Sequence, residues 1–399
     1  MRILVLMNRF PWPLKDGGTL AYYQLLKGLK LAGMEVHAAV LNTSKHWVDF
    51  NQLPGDVQQL ANFHLVEIDN RVKPLDTLVN LAFSNKSYHV TRFDSPDFRT
   101  MLGELLAQFS FDIVLFESVI MGVYLDTVRD NTQAKCVLRS HNVEFEIWES
   151  LAGIEKNPIK KFYLNSLAKR LRKFETSCIQ GFDGMVCFTP QDQKRFRELG
   201  FNKPLEVIPV GADISRLQPD ESAIQPMTLL HLGSLDWMPN QEAVNWFINE
   251  VWPSLHRQYP QLIFKVAGRN MPDYFRAYQG NGIEILGEVE DAIQLMKESA
   301  IMVVPLFSGS GIRVKVIEGL AMGKCMVVSE MGCSGIYAKS GKELHIANTA
   351  TEFVQTISNL LNNPNLIAET GRNARKLIEQ FYEQEKVTAD LLAFFNTRI

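Results

Sequence analysis

The chain has 399 residues, too many for one ordinary domain and enough for two α/β domains. Hydrophobic residues make up 46%, so each half has the material for a core. Lys and Arg number 41 against 44 Asp and Glu, a net charge of −3; nothing global attracts nucleic acid, and any anion binding must come from local patches.

The start, MRILVLMNRFPWP, has one basic residue followed by five apolar ones, too few for a signal sequence. It reads as a first buried strand, Arg2–Met7. Leu20–Ala32 reads as a helix closed by Gly33, and Glu35–Leu41 as the next strand. Phe111–Phe116, Lys135–Arg139, Gly184–Phe188 and Pro204–Pro209 follow as strands, with helical material between. These are continuous Val/Ile/Leu runs, as in a parallel sheet covered on both faces. Strand–helix–strand repetition implies a doubly wound α/β domain.

A polar break with two prolines, GADISRLQPDESAIQP, spans Gly211–Pro226, and the pattern then restarts. Met227–Leu232, Leu262–Ala267, Ile283–Leu286, Ala300–Pro305 and Cys325–Ser329 read as strands. Gln241–His256, Asp291–Glu298 and Val314–Met322 read as helices. Thr349–Phe395 should hold two or more helices, and the apolar content of the last implies a return to the first domain. The domains expected are therefore 1–210 with a crossover helix at about 382–399, and 211–381. In open α/β sheets, ligands bind beyond the carboxyl ends of strands. Two such domains face to face would put a cleft there.

Cys136, Cys178, Cys187, Cys325 and Cys333 form no CxxC pair, which suits a reducing compartment and gives no zinc signature. No apolar stretch approaches the roughly 18 residues that span a bilayer. A soluble, cytoplasmic protein is expected.

The strongest local signal is VVPLFSGSGIRVKVIEGLAMG, Val303–Gly323. A buried strand ends at Pro305, and Ser308-Gly309-Ser310-Gly311 opens a helix. Small residues let backbone approach an anion, and a helix N-terminus points free N–H groups at it. Arg313 and Lys315 add full charges in the first turn, where cations are unfavourable without an anion. Being two positions apart, they splay to different sides; Lys315 is favoured for direct contact and Arg313 for the rim, with neither needed for folding. Glu318 follows Ser310 by eight positions, about 12 Å if helical. A carboxylate there suits two ribose hydroxyls while the loop holds phosphates. The plain alternative is a glycine-rich turn with a solvated basic pair.

This arrangement resembles the C-terminal donor site of retaining GT-B glycosyltransferases, specifically family four, the group 1 glycosyl transferases. The resemblance spans nearly the whole chain: MRILVLMNRFPWPLKDGGTLAYYQLLKGL, RSHNVE, VIPVGAD, LHLGSLDWMPNQEAVNWFINEVWP, KVAGR, ILGEVED and GSGIRVKVIEGLAMGKCMVVS. It implies two Rossmann-like domains facing across a cleft, a nucleotide-diphosphate sugar donor and retention of anomeric configuration. It implies no metal and no resident cofactor, the donor being a substrate. Two departures stand out. The family often has two glutamates with seven residues between them; Glu318 is the second, and Ser310 occupies the first position. A strand-end Arg found in many members is absent, Gly233-Ser234-Leu235 standing there. Phosphate charge then falls to Arg313 and Lys315.

Beside the resemblance, Gly17-Gly18 precede a helix after a long loop and would approach the donor or acceptor; an ordinary helix start is the alternative. They do not make a GxGxxG fingerprint, and the second strand ends AAVLN without an acidic residue, which disfavours dehydrogenase chemistry. His141 ends the strand CVLRS, and the resemblance places it toward the donor sugar, where it would bond a hydroxyl or polarise the transition state. Glu144 and Glu146 read as helix-start carboxylates. Arg269 and Val289 sit at strand ends on the same rim, with Val289 backbone suited to a base edge. The donor set is thus Gly17, Gly18, Arg269, Val289, Gly309, Ser310, Gly311, Ile312 and Glu318; the catalytic set is His141, Arg313 and Lys315.

The function expected is sugar transfer to a glycan or lipid-linked saccharide, as in cell-surface polysaccharide synthesis. Two alternatives stay open: a nucleotide-sugar epimerase or hydrolase, and a catalytically silent nucleotide-binding partner protein. The basic segment 159–173, IKKFYLNSLAKRLRK, reads either as a solvated helix face or as a peripheral contact with the inner face of a membrane.

Overall fold

The computed structural model describes residues 1–14, 16–309 and 311–399. The chain divides into two compact units, Met1–Val210 with Val387–Ile399, and Gly211–Lys386.

Among the described residues, the first unit has seven strands: β1 (Arg2–Met7), β2 (Glu35–Thr43), β3 (Asn62–Ile68), β4 (Ile113–Glu117), β5 (Lys135–Ser140), β6 (Gly184–Cys187) and β7 (Leu205–Val207). They form a parallel sheet in the order β3-β2-β1-β4-β5-β6-β7. The second unit has β8 (Gln225–Leu232), β9 (Ile263–Ala267), β10 (Ile283–Gly287), β11 (Ser299–Val304), β12 (Cys325–Val328) and β13 (His345–Ile346), again parallel, in the order β10-β9-β8-β11-β12-β13. Each chain path starts mid-sheet, steps to one edge, and then crosses to the other side. This is the doubly wound Rossmann order, and its switch points lie at β1/β4 and β8/β11.

The strand period of two explains the layers. Leu4 and Leu6 of β1 join the core on one face of the sheet, and Ile3, Val5 and Met7 join the core on the other. In β11, Met302 and Val304 face one core and Ile301 and Val303 the other. Both faces being buried, these strands read as unbroken apolar runs.

Five helices carry or frame the residues of interest: α1 (Gly17–Leu31), α2 (Glu144–Ile154), α3 (Pro158–Cys178), α4 (Val314–Ala321) and α5 (Gln384–Arg398). Asp16 caps α1, accepting from the N–H groups of Gly18 and Thr19, and Gly33 ends that segment with φ +74°. Val387, Leu391, Phe394 and Phe395 of α5 are buried in the same cluster as Ile3 and Val5 of β1.

Two strands lie outside the sequence expectation. The edge strand β3 (NFHLVEI) is only half-buried, so it lacks the apolar run that marked its neighbours. Strand β13 has two residues. The expected helix Gln241–His256 is three pieces, Met238–Trp246, a π-helical turn Phe247–Val251 and Trp252–Gln258, with Pro253 starting the last.

Candidate active site

In the second unit, the chain leaves β11 and runs through Gly309 (φ +100°) and Gly311 (φ +77°) before α4 begins at Val314. The helix begins at Val314, as expected, and positive φ at Gly309 and Gly311 keeps both glycines out of it. Gly309 is required for a second reason, since a Cβ there would sit 2.7 Å from Trp237 Cζ2. Ser308 Oγ donates to Glu242 Oε2 at 2.8 Å. Ser310 lies outside the described residues. Ile312 is half-buried against the second-unit core.

Arg313 is the N-cap residue of α4 and not part of its first turn. It is 5% exposed, with Nη1 donating to Gly311 O at 2.7 Å and its Cζ 5.3 Å from the Trp237 ring centre. Burial lowers its pKa to about 10. The expected rim position is therefore wrong; the guanidinium is folded under the indole and clamps the glycine loop. Lys315, in the first turn, is half-buried and donates from Nζ to Asn240 Oδ1 at 2.7 Å. Burial, with the Arg313 charge adding to it, lowers its pKa to about 7. Burial raises the Glu318 carboxyl to about 7, against a smaller opposing pull from Arg216. Glu318 has no hydrogen-bonding or ion-pairing side chain on its carboxylate among the described residues.

Arg269, at the end of β9, donates from Nε to Ser234 Oγ at 3.0 Å. The strand-end position where the family pattern has an arginine is thus reached by a guanidinium from the neighbouring strand. Val289 is half-buried against the core beyond β10. Four short links therefore converge on the end of β8: Asn240 Nδ2 to Ser234 O at 2.7 Å, Asn240 to Lys315, Arg269 to Ser234, and Leu235 N to Arg269 O at 2.9 Å.

In the first unit, Gly17 and Gly18 open α1, but the Gly18 N–H already donates to Asp16 Oδ1 at 2.9 Å. Asp16 in turn holds Arg9 with bonds of 3.0 and 3.2 Å. His141 follows β5, and its Nε2 lies 2.7 Å from Glu117 Oε2 at the end of β4. Glu117 is fully buried and also accepts from Arg139 Nη1 at 3.0 and 3.1 Å. Burial raises the Glu117 pKa, but Arg139 and His141 more than offset it, and the net shift is downward. Burial lowers the His141 pKa more than Glu117 raises it. The ring is therefore neutral near pH 7. Because an ionised carboxylate only accepts, Nε2 carries the proton and Nδ1 is left as an acceptor. Tyr22 and Phe188 hold the ring, with centroids 5.1 and 4.8 Å away.

Sequence reasoning missed Glu117. The available signal was Arg139, a cation at the end of the apolar run CVL, since a cation buried in a strand demands a carboxylate. Glu144 and Glu146 do start α2 as expected. Glu144 accepts from His89 Nε2 at 3.2 Å, and Glu146 pairs with Arg195.

Residues 226–363 match the family model described as glycosyl transferases group 1. That match lies wholly within the second unit. Over 98% of both chains, the protein is 24% identical to an uncharacterized 44.6 kDa protein in the cps region of Klebsiella pneumoniae. Among solved structures, sucrose-phosphate synthase from Thermosynechococcus elongatus superposes with a TM-score of 0.73 at 14% identity, covering 99% of this chain and 98% of that one. The Anabaena protein HepE in complex with UDP superposes with a TM-score of 0.69 at 13% identity over 100% of both chains. The same Anabaena protein is also solved with UDP-glucose. The fold is GT-B, with two Rossmann-like domains.

Proposed function

We propose that the chain is a retaining glycosyltransferase that moves a sugar from a nucleotide-diphosphate sugar to a glycan or lipid-linked saccharide, as in cell-surface polysaccharide synthesis. The observation that carries this is Lys315, a half-buried cation in the first turn of α4 with its pKa lowered to about 7. Such a cation is unfavourable until an anion arrives, and a diphosphate is that anion. Gly309 and Gly311 let backbone ahead of α4 approach the diphosphate, and the Glu318 carboxylate, one turn beyond Lys315, takes the ribose hydroxyls in this reading. Arg313 shapes the loop from beneath, and Arg269 brings positive charge to the end of β8. The Val289 backbone is left for the base edge. Gly17 and Gly18 of α1 contribute through loop shape, since Asp16 already takes the Gly18 N–H.

Chemically, the bond from the anomeric carbon to the β-phosphate oxygen breaks as the acceptor hydroxyl oxygen bonds that carbon from the same face. The leaving phosphate takes the hydroxyl proton. Charge grows on the β-phosphate, and protonated Lys315 stabilises it most at that moment. Neutral His141 accepts a sugar hydroxyl through Nδ1, held by Glu117. No resident metal or cofactor is assigned.

A screen of nucleotide sugars tests this, beginning with UDP-glucose, which the Anabaena protein is named as binding. Nucleoside diphosphate release that rises on adding extracted acceptor lipids is expected. No release and no calorimetric binding of any nucleoside diphosphate would leave the chain a silent fold relative. We also assign the chain to the cytoplasm, with α3 resting on the inner membrane face. Among the described residues no helix is long and apolar enough to cross a membrane. On α3, however, Ile159 is 81% and Phe162 68% exposed beside Lys160 and Lys161. Flotation with anionic vesicles that is unchanged in Ile159→Ser/Phe162→Ser removes that contact.

A further inference from the structure

At the carboxyl ends of β1, β2, β4 and β5 the first unit holds a cavity of about 610 Å³. Arg9, Lys45, Arg71 and Arg92 line it, and Glu144 is the one carboxylate of that lining among the described residues. Two of the cations are matched from outside the lining. Asp16 holds Arg9, and Asp69 holds Arg71 with bonds of 2.8 and 3.0 Å. Glu144 accepts a hydrogen bond from His89 and keeps its charge. Arg92 and Lys45 remain without a carboxylate in ion-pair range among the described residues.

Arg92 is half-buried, and what it touches is neutral. Its Nη1 reaches Asn70 O at 3.4 Å and its Nη2 reaches His89 Nδ1 at 3.2 Å. Accepting there, His89 must donate from Nε2 to Glu144, so the imidazole is neutral and fixes the guanidinium in place. Arg92 Nε is buried with no hydrogen-bond partner. So are the Thr43 hydroxyl at the end of β2 and the Asn142 amide oxygen after β5. These three orphaned polar atoms come from separate parts of the chain and belong to the lining of one cavity. Buried polar groups without partners are costly, and their convergence points to a polar ligand. Arg92 and Lys45 set against Glu144 leave one net positive charge among them, which gives that ligand a negative charge.

We propose that the acceptor is an acidic saccharide: Arg92 and Lys45 bind a carboxylate or phosphate that it carries, while Thr43 and Asn142 bind its hydroxyls. That the ligand is the acceptor rests on the function proposed above, since the cavity begins at His141. Arg92 fixes and reads the anion, and Lys45, exposed at the mouth, draws it in. A neutral sugar satisfies the hydroxyl and amide groups but leaves the net positive charge unmatched.

The test is binding to the full chain of methyl glucuronide, glucose 1-phosphate and methyl glucoside, with inorganic phosphate as a control and UDP titrated in parallel. At least one acidic sugar should bind about tenfold more tightly than the glucoside, and the preference should shrink as salt is raised. Preference for the glucuronide assigns a uronate, and preference for the sugar phosphate over inorganic phosphate assigns a phosphorylated saccharide. Arg92→Gln should abolish most of the preference and Arg92→Lys restore part of it, with UDP affinity unchanged. Lys45→Ala, at an exposed position, should weaken the preference without affecting folding. Equal affinity for acidic and neutral sugars, or binding of none of them at millimolar concentration, overturns the acidic acceptor. Lost UDP binding with the acid preference intact would instead overturn the donor assignment alone.

Discussion

The guanidinium carbon of Arg313 stands 5.3 Å from the centre of the Trp237 ring, and a side chain at Gly309 would strike the same indole. The arginine, the indole and the glycine loop thus form one structural unit. Arg313→Ala should cost about 1–3 kcal/mol of stability as well as turnover, because it removes a buried side chain and a cation–π contact. A double-mutant cycle with Trp237→Ala should show coupling of about 0.5–2 kcal/mol by thermal unfolding. Additive losses would mean that the two side chains act separately.

Lys315 behaves differently. Its folded pKa of about 7 lies far below the unfolded value for lysine, so the unfolded chain binds the extra proton and stability rises with pH above about 7. Lys315→Met should remove that slope and raise the melting temperature at neutral pH. The same change should lower UDP affinity at least tenfold at pH 6 and by less at pH 9, where the wild-type ammonium has lost its proton. Calorimetry at the two pH values decides this, and an equal loss at both would exclude protonated Lys315 as the diphosphate ligand.

Glu318 has the opposite linkage. Its folded pKa, about 7, is raised above the ordinary carboxyl value, so stability falls as pH rises from about 4.5 through 7. Glu318→Gln should therefore be as stable as wild type at pH 5 and more stable at pH 8. It should bind UDP about 1.5–3 kcal/mol more weakly at pH 8, where the wild-type carboxylate is ionised. Unchanged UDP affinity would take the residue out of the site.

For the first unit, His141→Ala should lower turnover by about a hundredfold or more while UDP affinity holds. Glu117→Ala should cost about 3–5 kcal/mol by stranding Arg139, which is 4% exposed. Both Glu117 and His141 have lowered pKa values, so the unfolded chain binds more protons and stability falls as pH drops below about 6.5. Acid titration of His141→Phe should begin its loss at lower pH than wild type; an identical profile would assign the acid sensitivity elsewhere.

The fold was legible wherever strands were covered on both faces, because β1, β4, β8 and β11 show their burial as apolar runs. It was illegible at β3, where partial exposure mixes Asn62, His64 and Glu67 into the run, and at β13, which is too short to carry a pattern. The glycine loop and the helix start at Val314 were legible, but the burial of Arg313 under Trp237 was not, because the indole comes from a distant segment of the chain. His141 and Arg139 stood together in RSHNVE. Their carboxylate, 22 and 24 positions earlier, was visible only once β4 and β5 were paired in register. The approach of Arg269 to Ser234 was likewise hidden, since the two are neighbours in space at the ends of adjacent strands.

Helix α5 gives the first unit a history as well as a shape. Phe394 and Phe395 complete a core whose other members include Ile3 and Val5, and the whole second unit is encoded between them. On the ribosome, the first unit waits with that face uncovered while Gly211–Lys386 is synthesised and can close its own core. The part of the chain that is made first is therefore finished last, and a stall or nick after Lys386 would leave the second unit intact and the first one open.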